Sequence, residues 1–563
     1  MSTQRKRGMP RQQGKRLAPK TSSARMGKVV SKQGDHAGLG LSLGLKRKAE
    51  AFRLRLKAAK TELFLKAPPL TANGDEERYP TRIGNFTKTL PHNELGEVEP
   101  AAYAAYLKGL AAQSFEKLEV VPGEGRLQNP LGGLAFSMEG PDSAVIAVQP
   151  APALASAEWA ADLAELYWMA LLRDVPFSAY DSHPLALEAR RDLARFSGYK
   201  GPREPVTGEI RAKDLFRTDH PGVRDGLMVS QFQLQNFIYD GISIPQRFST
   251  AVPEQDFLTF FPEWLRAQRG IRVTLPDPRD LTPRYMRNAR DMGRSAGQDI
   301  ITSSYIKAAF ILLLSPLGVE GFDEANPYHP SRSRRQDGFS TFGLSHLMEL
   351  IGKVHKSEHH SWFQKWHVQR FLRPEEGGGR VHNAKTGAAS YPIHEDLLTR
   401  SSVLEHIFEL NRRRNRERPE ISQDVGTYLL PQLFRNGCPT SPSYPAGHGV
   451  TAGCCGTLLK AWFNEDLPFP NPVKPTEDGL SLEPYRVGVD GPVLTIGGEI
   501  NKLVHNLTVG RNMSGVHWRS DDVAGNLVGE EVAIRVLREE KALYPERFEG
   551  FRLTRFDGTS ITV

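Results

Sequence analysis

The stretch EINKLVHNLTVGRNMSGVHWRSD, Glu499 to Asp521, carries a fold signal and a chemical one. Ile500, Leu503, Val504 and Leu507 fall at i, i+3, i+4 and i+7, the spacing of one buried helix stripe. Gly515 then interrupts the pattern, so Arg511 and His517 are expected on either side of a turn. Asp521 follows His517 by four residues and would share a helix face with it if a helix begins there.

The same helical spacing recurs in Leu344, Leu347, Met348 and Ile351, and in Ile301, Tyr305, Ala308 and Leu312 within Asp299–Leu314. Ala101–Gln113, Ala155–Arg173, Pro184–Phe196, Glu395–Asn411 and Val523–Leu537 also read as helices. Alternating strand patterns are scarce outside Arg552–Val563. The expected fold is all-α, helical bundles with long loops and few short strands.

The charge is unevenly spread. Residues 1–60 hold 17 Lys and Arg against Asp35 and Glu50, leaving 56 basic and 63 acidic residues in the remainder of the 563-residue chain. The expectation is a basic, irregular arm over 1–60, followed by one helical domain over 61–563. A solvated tail is the plain reading of the arm; nucleic acid or an acidic neighbouring subunit are the alternative contacts. The longest apolar run, Ala308–Leu314, is far short of the ~20 residues a membrane span requires. Cys438, Cys454 and Cys455 have neither a disulfide framework nor zinc-ligand spacing, which with the absence of an apolar leader points to a reducing, cytoplasmic setting.

Three separated stretches hold groups suited to an oxyanion. WFQKWHVQRFLRPEEGGGR (Trp362–Arg380) offers Lys365 and Arg373, SPSYPAGHGVTAG (Ser441–Gly453) offers Gly447 and His448, and GRNMSGVHWRSD (Gly510–Asp521) offers Arg511, His517 and Asp521. A tetrahedral oxyanion spreads charge over several oxygens, so it calls for arginine forks and a compact ammonium together. Pro374 biases Arg373 out of helical geometry, letting its side chain swing off the helix axis. Gly447 lets an anion approach main-chain N–H groups at a helix start, where the dipole also favours it. A carboxylate such as Asp521 could hold one nitrogen of His517 and free the other as ligand or nucleophile. His355 and His359 form a possible metal face without a third ligand, and RRRNRERPE (Arg412–Glu420) reads as a solvated helix end.

The order and spacing of these groups resemble the vanadium-dependent haloperoxidases, which share a superfamily with the type-2 phosphatidic acid phosphatases. Lys365 and Arg373 are eight apart, similar to the algal bromoperoxidase-like branch rather than the seven of the phosphatases. RRQDGFSTFG (Arg334–Gly343) is also similar to that branch. The resemblance is dense from about 303 to 537 and implies a core of two four-helix bundles, with active-site segments at 362–380, 441–460 and 499–521. It implies vanadate, as vanadium(V), bound by His517, with its oxygens held by Lys365, Arg373, Gly447 and Arg511. His448 would be the acid–base group, Lys365 would also polarise bound peroxide, and Trp362 would line the pocket. The implied reaction is oxidation of halide by hydrogen peroxide to a hypohalous-acid equivalent, which halogenates a small organic nucleophile. A homo-oligomer is implied as well.

This chain departs from the family's pattern in three places. Ala446 stands where the usual motif has serine, Ser441 where algal enzymes have histidine near the halide route, and Gly510 where a serine precedes Arg511. The halide therefore stays open. Two other readings compete: a soluble acid phosphatase with His517 as phosphorylated nucleophile, and a non-catalytic helical assembly protein with a degenerate anion site.

Overall fold

Ile500, Leu503, Val504 and Leu507 are all buried in helix Ile496–Met513, each worth roughly 1.5–3 kcal/mol relative to exposure. The computed structural model describes residues 35–298, residue 300 and residues 302–563, the side chains of 35–41 and 355 excepted. The chain divides into two units, Met1–Thr61 and Glu62–Val563. The part expected to be irregular contains most of a helix instead, Asp35–Leu63; Ala, Leu, Lys and Arg, all strong helix formers, supply much of its length. Residues 1–34 of the basic arm lie outside the described residues.

The second unit is helical, with short strands. The expected helices occur as Pro100–Ala111, Ala157–Leu171, Pro184–Leu193, Ser303–Leu313, Leu344–Val354 and Arg519–Lys541. Glu395–Asn411 is not one helix: a π-helical turn, Asp396–Arg400, stops before helix Val403–Glu417. Ser401 Oγ binds Asp192 Oδ2 at 2.6 Å and accepts from the Val403 N–H at 3.1 Å. Its side chain thus competes with the helical ladder. Among the described residues the strands make three two-stranded antiparallel hairpins, the last pairing Arg552–Thr554 with Ser560–Thr562.

Helix Gly447–Trp462 packs against helix Arg519–Lys541 through small residues. A Cβ on Gly453 would lie 2.2 Å from the Asn526 carbonyl oxygen, and one on Gly529 would lie 2.1 Å from that of Val450. Only glycine permits such backbone approach. This seam brings the start of one helix, Gly447 and His448, beside the start of the other, which carries Asp521; the Ala446 N–H donates to the Asp521 carbonyl at 3.0 Å. Gly510 has a packing role too, since a Cβ there would meet that of Ala296 at 2.7 Å.

The expected surface helix end at Arg412–Glu420 is only partly so. Arg412 pairs with Asp424 at 2.8 Å at the surface, but Arg414 is buried and bonded to Asp256 at 3.2 Å.

Candidate active site

Lys365 lies in a π-helical stretch, Gln364–Gln369, that continues helix Glu358–Phe363. A π turn takes up one residue more than an α turn, which accommodates the eight-residue interval to Arg373. The stretch ends at Arg370, in the left-handed region at φ 41°, whose guanidinium is paired with Glu76. Lys365 is buried, and its Nζ stands 4.8 Å from the Trp362 ring centroid. Burial, then the charge of Arg373, holds its pKa well below the ordinary lysine range.

Arg373 sits at the start of helix Pro374–Lys385, not at the end of the lysine helix, with extended backbone at φ −84°, ψ 156°. The Glu376 carboxylate accepts from its backbone N–H at 2.8 Å. Its guanidinium donates from Nε to the Ser441 carbonyl at 2.7 Å, from Nη2 to Ser441 Oγ at 3.0 Å and from Nη1 to the Val516 carbonyl at 2.9 Å. Nη1 also stands 3.0 Å from His517 Nε2.

Gly447 opens its helix with Ala446 as N-cap, and no side chain caps the first N–H groups. A Cβ on Gly447 would fill the space in front of Trp362, 2.8 Å from the ring. His448, half-buried in the first turn, is held well below the usual imidazole range by burial and by Arg511, Lys365 and Arg373. Arg511 ends helix Ile496–Met513; its Nε has no acceptor, and burial followed by Arg373 lowers its pKa to about 10.

His517 lies in the link between two helices. The helix expected to carry both His517 and Asp521 begins only at Arg519, after the N-cap Trp518. Asp521 reaches back as a capping carboxylate: Oδ2 accepts from the Trp518 N–H at 3.2 Å and from His517 Nδ1 at 2.6 Å. Ser443 donates to the same oxygen, a contact the sequence reading missed. Burial, with Arg373, Lys365, Arg511 and His448 around it, keeps His517 neutral. Its Nδ1–H is committed to Asp521, so the Nε2 lone pair faces the cations.

Among the described residues, none of the buried cations Lys365, Arg373 and Arg511 is ion-paired with a carboxylate. A buried charge is stable only when compensated. Three such cations, the open face of Gly447, the unmatched Arg511 Nε and an imidazole lone pair held toward Arg373 Nη1 fit one tetrahedral oxyanion bound through its central atom. By contrast, the side chain of His355 lies outside the described residues, and no group of three His, Cys, Asp or Glu suited to a metal ion occurs among those described.

The chain is 37% identical over 530 residues to a vanadium-dependent bromoperoxidase of Ascophyllum nodosum, covering 92% of each protein. A bromoperoxidase of Corallina officinalis is 30% identical over 599 residues, with 92% of this chain and 98% of the relative covered. The chain belongs to the vanadium-dependent bromoperoxidase family. No family model matches it. The solved structure of the second, homohexameric vanadate-dependent bromoperoxidase of Ascophyllum nodosum superposes with a TM-score of 0.86 at 31% identity, covering 97% of this chain and 94% of that one. Within the bromoperoxidase family's pattern, this member's Ser441 binds Arg373, and its Ala446 is a fully buried N-cap without a hydroxyl. Among the described residues, no helix is long and apolar enough to cross a membrane.

Proposed function

We propose that this protein is a vanadate-dependent haloperoxidase that uses hydrogen peroxide to oxidise a halide, releasing a hypohalous-acid equivalent that halogenates organic nucleophiles. The observation that carries the reading is the neutral His517, its Nδ1 tied to Asp521 and its Nε2 turned toward three cations that lack a carboxylate partner. His517 would hold vanadate through Nε2, while Lys365, Arg373, Arg511 and the Gly447 N–H would hold its oxygens. When bound, vanadate supplies a vanadium(V) Lewis acid that activates peroxide without changing its own oxidation state.

The chain's own residues then have separable tasks. Asp521 fixes the tautomer of His517, and Ser443 fixes Asp521. Glu376 holds the backbone of Arg373, and Ser441 and Val516 hold its guanidinium. His448, uncharged, can take the proton that incoming hydrogen peroxide gives up. Lys365 would supply a compact positive charge facing the incoming peroxide, and Trp362 walls the space before Gly447.

A homo-oligomer is part of the proposal, since the structural relative is described as homohexameric. Three buried cysteines without a disulfide among them fit a reducing cytoplasmic compartment. The test is purified protein with orthovanadate, hydrogen peroxide and bromide. Vanadate-dependent bromination of a phenol is expected. Phosphate-ester hydrolysis inhibited by vanadate, with no bromination, would replace this reading by the phosphatase.

A further inference from the structure

Ser441 Oγ accepts from Arg373 Nη2 at 3.0 Å, so its single proton must point elsewhere. The acceptor is Gln128 Oε1, 3.3 Å away. Gln128 comes from a segment remote in sequence, yet it is built into the site from both ends. Its backbone N–H donates to the Thr440 carbonyl at 2.8 Å, and its carbonyl lies 3.4 Å from Trp362 Nε1. The following residues lie against the lysine helix: His367 Nε2 meets the Pro130 carbonyl at 3.1 Å, and a Cβ on Gly133 would collide with the Phe363 backbone at 2.1 Å. Exposure falls inward along this line, from exposed Gln128 to buried Ser441 and Arg373. Gln128 therefore stands on the solvent side of the cations, between Trp362 and Ser441.

A carboxamide whose oxygen is bound to one neighbour turns its NH2 group away from that neighbour. Gln128 Nε2 has no protein hydrogen-bond partner among the described residues. We propose that Gln128 is the entrance residue that receives the incoming halide, its Nε2–H groups donating to the anion beside Trp362 before it reaches the cations. This rests on the haloperoxidase reading. It adds a neutral, directional donor outside the charged cage, where a weakly hydrated anion can exchange part of its water shell for N–H donors and an aromatic wall.

The test compares Gln128→Glu, which keeps the shape and replaces the donor by a negative charge, with Gln128→Ala, which removes the donor without adding charge. On the vanadate-loaded enzyme, Gln128→Glu should raise the bromide KM by about tenfold and Gln128→Ala by about threefold. For Gln128→Ala the kcat, the KM for hydrogen peroxide and the vanadate affinity should stay within about twofold, whereas the carboxylate of Gln128→Glu, linked to Arg373 through Ser441, should weaken vanadate as well, so its bromide KM is read with vanadate saturating. Broadening of the bromide NMR line by the protein, read without turnover, should weaken in the same order. Unchanged bromide KM and line broadening in a folded Gln128→Glu protein would overturn the assignment, as would a KM loss shared equally with peroxide. If the unaltered protein oxidises no halide with vanadate present, it is the haloperoxidase reading that fails.

Discussion

Asp521 Oδ2 lies 2.6 Å from His517 Nδ1, and the same oxygen takes hydrogen bonds from Ser443 and the Trp518 N–H. One carboxylate thus caps a helix, orients an imidazole and offsets part of the surrounding positive charge. Burial raises its pKa, against the lowering effect of the Ser443 hydrogen bond and Arg373, and the three donors that converge on Oδ2 show it accepting. Replacing Asp521 by Asn keeps the size but removes the charge and places an N–H2 group among donors. Orthovanadate affinity, measured by equilibrium dialysis, should fall by roughly 10–100-fold, the usual cost of losing the partner that orients a ligand histidine. Affinity equal to that of the unaltered protein would sever Asp521 from the site.

Protons should enter the site together with the oxyanion. In the free pocket, burial and Arg373 hold the Lys365 pKa well below its ordinary value. An anion beside the amine favours the ammonium and raises that pKa, so binding takes up a proton wherever the free-site lysine is neutral. The sign follows: affinity declines as pH rises above the lysine's free-site pKa. Calorimetric titration with orthovanadate in buffers of different ionisation enthalpy measures the uptake, after correction for vanadate's own protonation. Lys365→Met should abolish this component; the same uptake in both proteins would rule it out.

Much of this arrangement is legible in the sequence because periodicity and punctuation are local. Ile500 to Leu507 declare their helix by spacing alone, and Gly447 and Pro374 mark the helix starts beside His448 and Arg373. The His517–Asp521 contact was visible as a four-residue interval, although capping, not a shared helix face, creates it. Ser443 lies inside a quoted motif, but hydroxyl direction leaves no trace in spacing. Gln128 is 234 residues from Trp362 and carries no pattern at all; only the folded chain brings it to the site. Arg414 was hidden in a run of charges whose other members are exposed or half-buried, since a partner such as Asp256 is a tertiary fact.

Ala446 is an N-cap without a hydroxyl, fully buried at the start of helix Gly447–Trp462. Serine there would cap a first-turn N–H or donate to the bound oxyanion, each worth about 1 kcal/mol. Ala446→Ser should therefore either raise thermal stability or tighten orthovanadate binding by roughly fivefold. Parallel melting with and without orthovanadate separates the two: a gain only with ligand assigns the hydroxyl to the anion, a gain in both assigns it to the helix. A loss in both would mean that the buried site has no room for the oxygen.

The strongest stability prediction lies away from the proposed chemistry, at Asp256. Its carboxylate, buried, is bonded to Arg173, to Arg290 at 3.2 Å and to Arg414 at 3.2 Å, joining three distant segments. Burial alone would raise its pKa, but Arg290, Arg173 and Arg414 outweigh it and hold the group well below the ordinary carboxylate range. A depressed carboxylate contributes stability that is present above its unfolded pKa and lost as pH falls toward the folded one. Asp256→Asn leaves the arginines facing a neutral amide in a dry setting, where breaking such a pair costs about 3–5 kcal/mol. Denaturant unfolding at neutral pH should show that loss, and the difference between variant and parent should shrink as acid protonates Asp256 in the parent. A gap that stays constant down to the acid limit would assign the destabilisation to packing instead of charge.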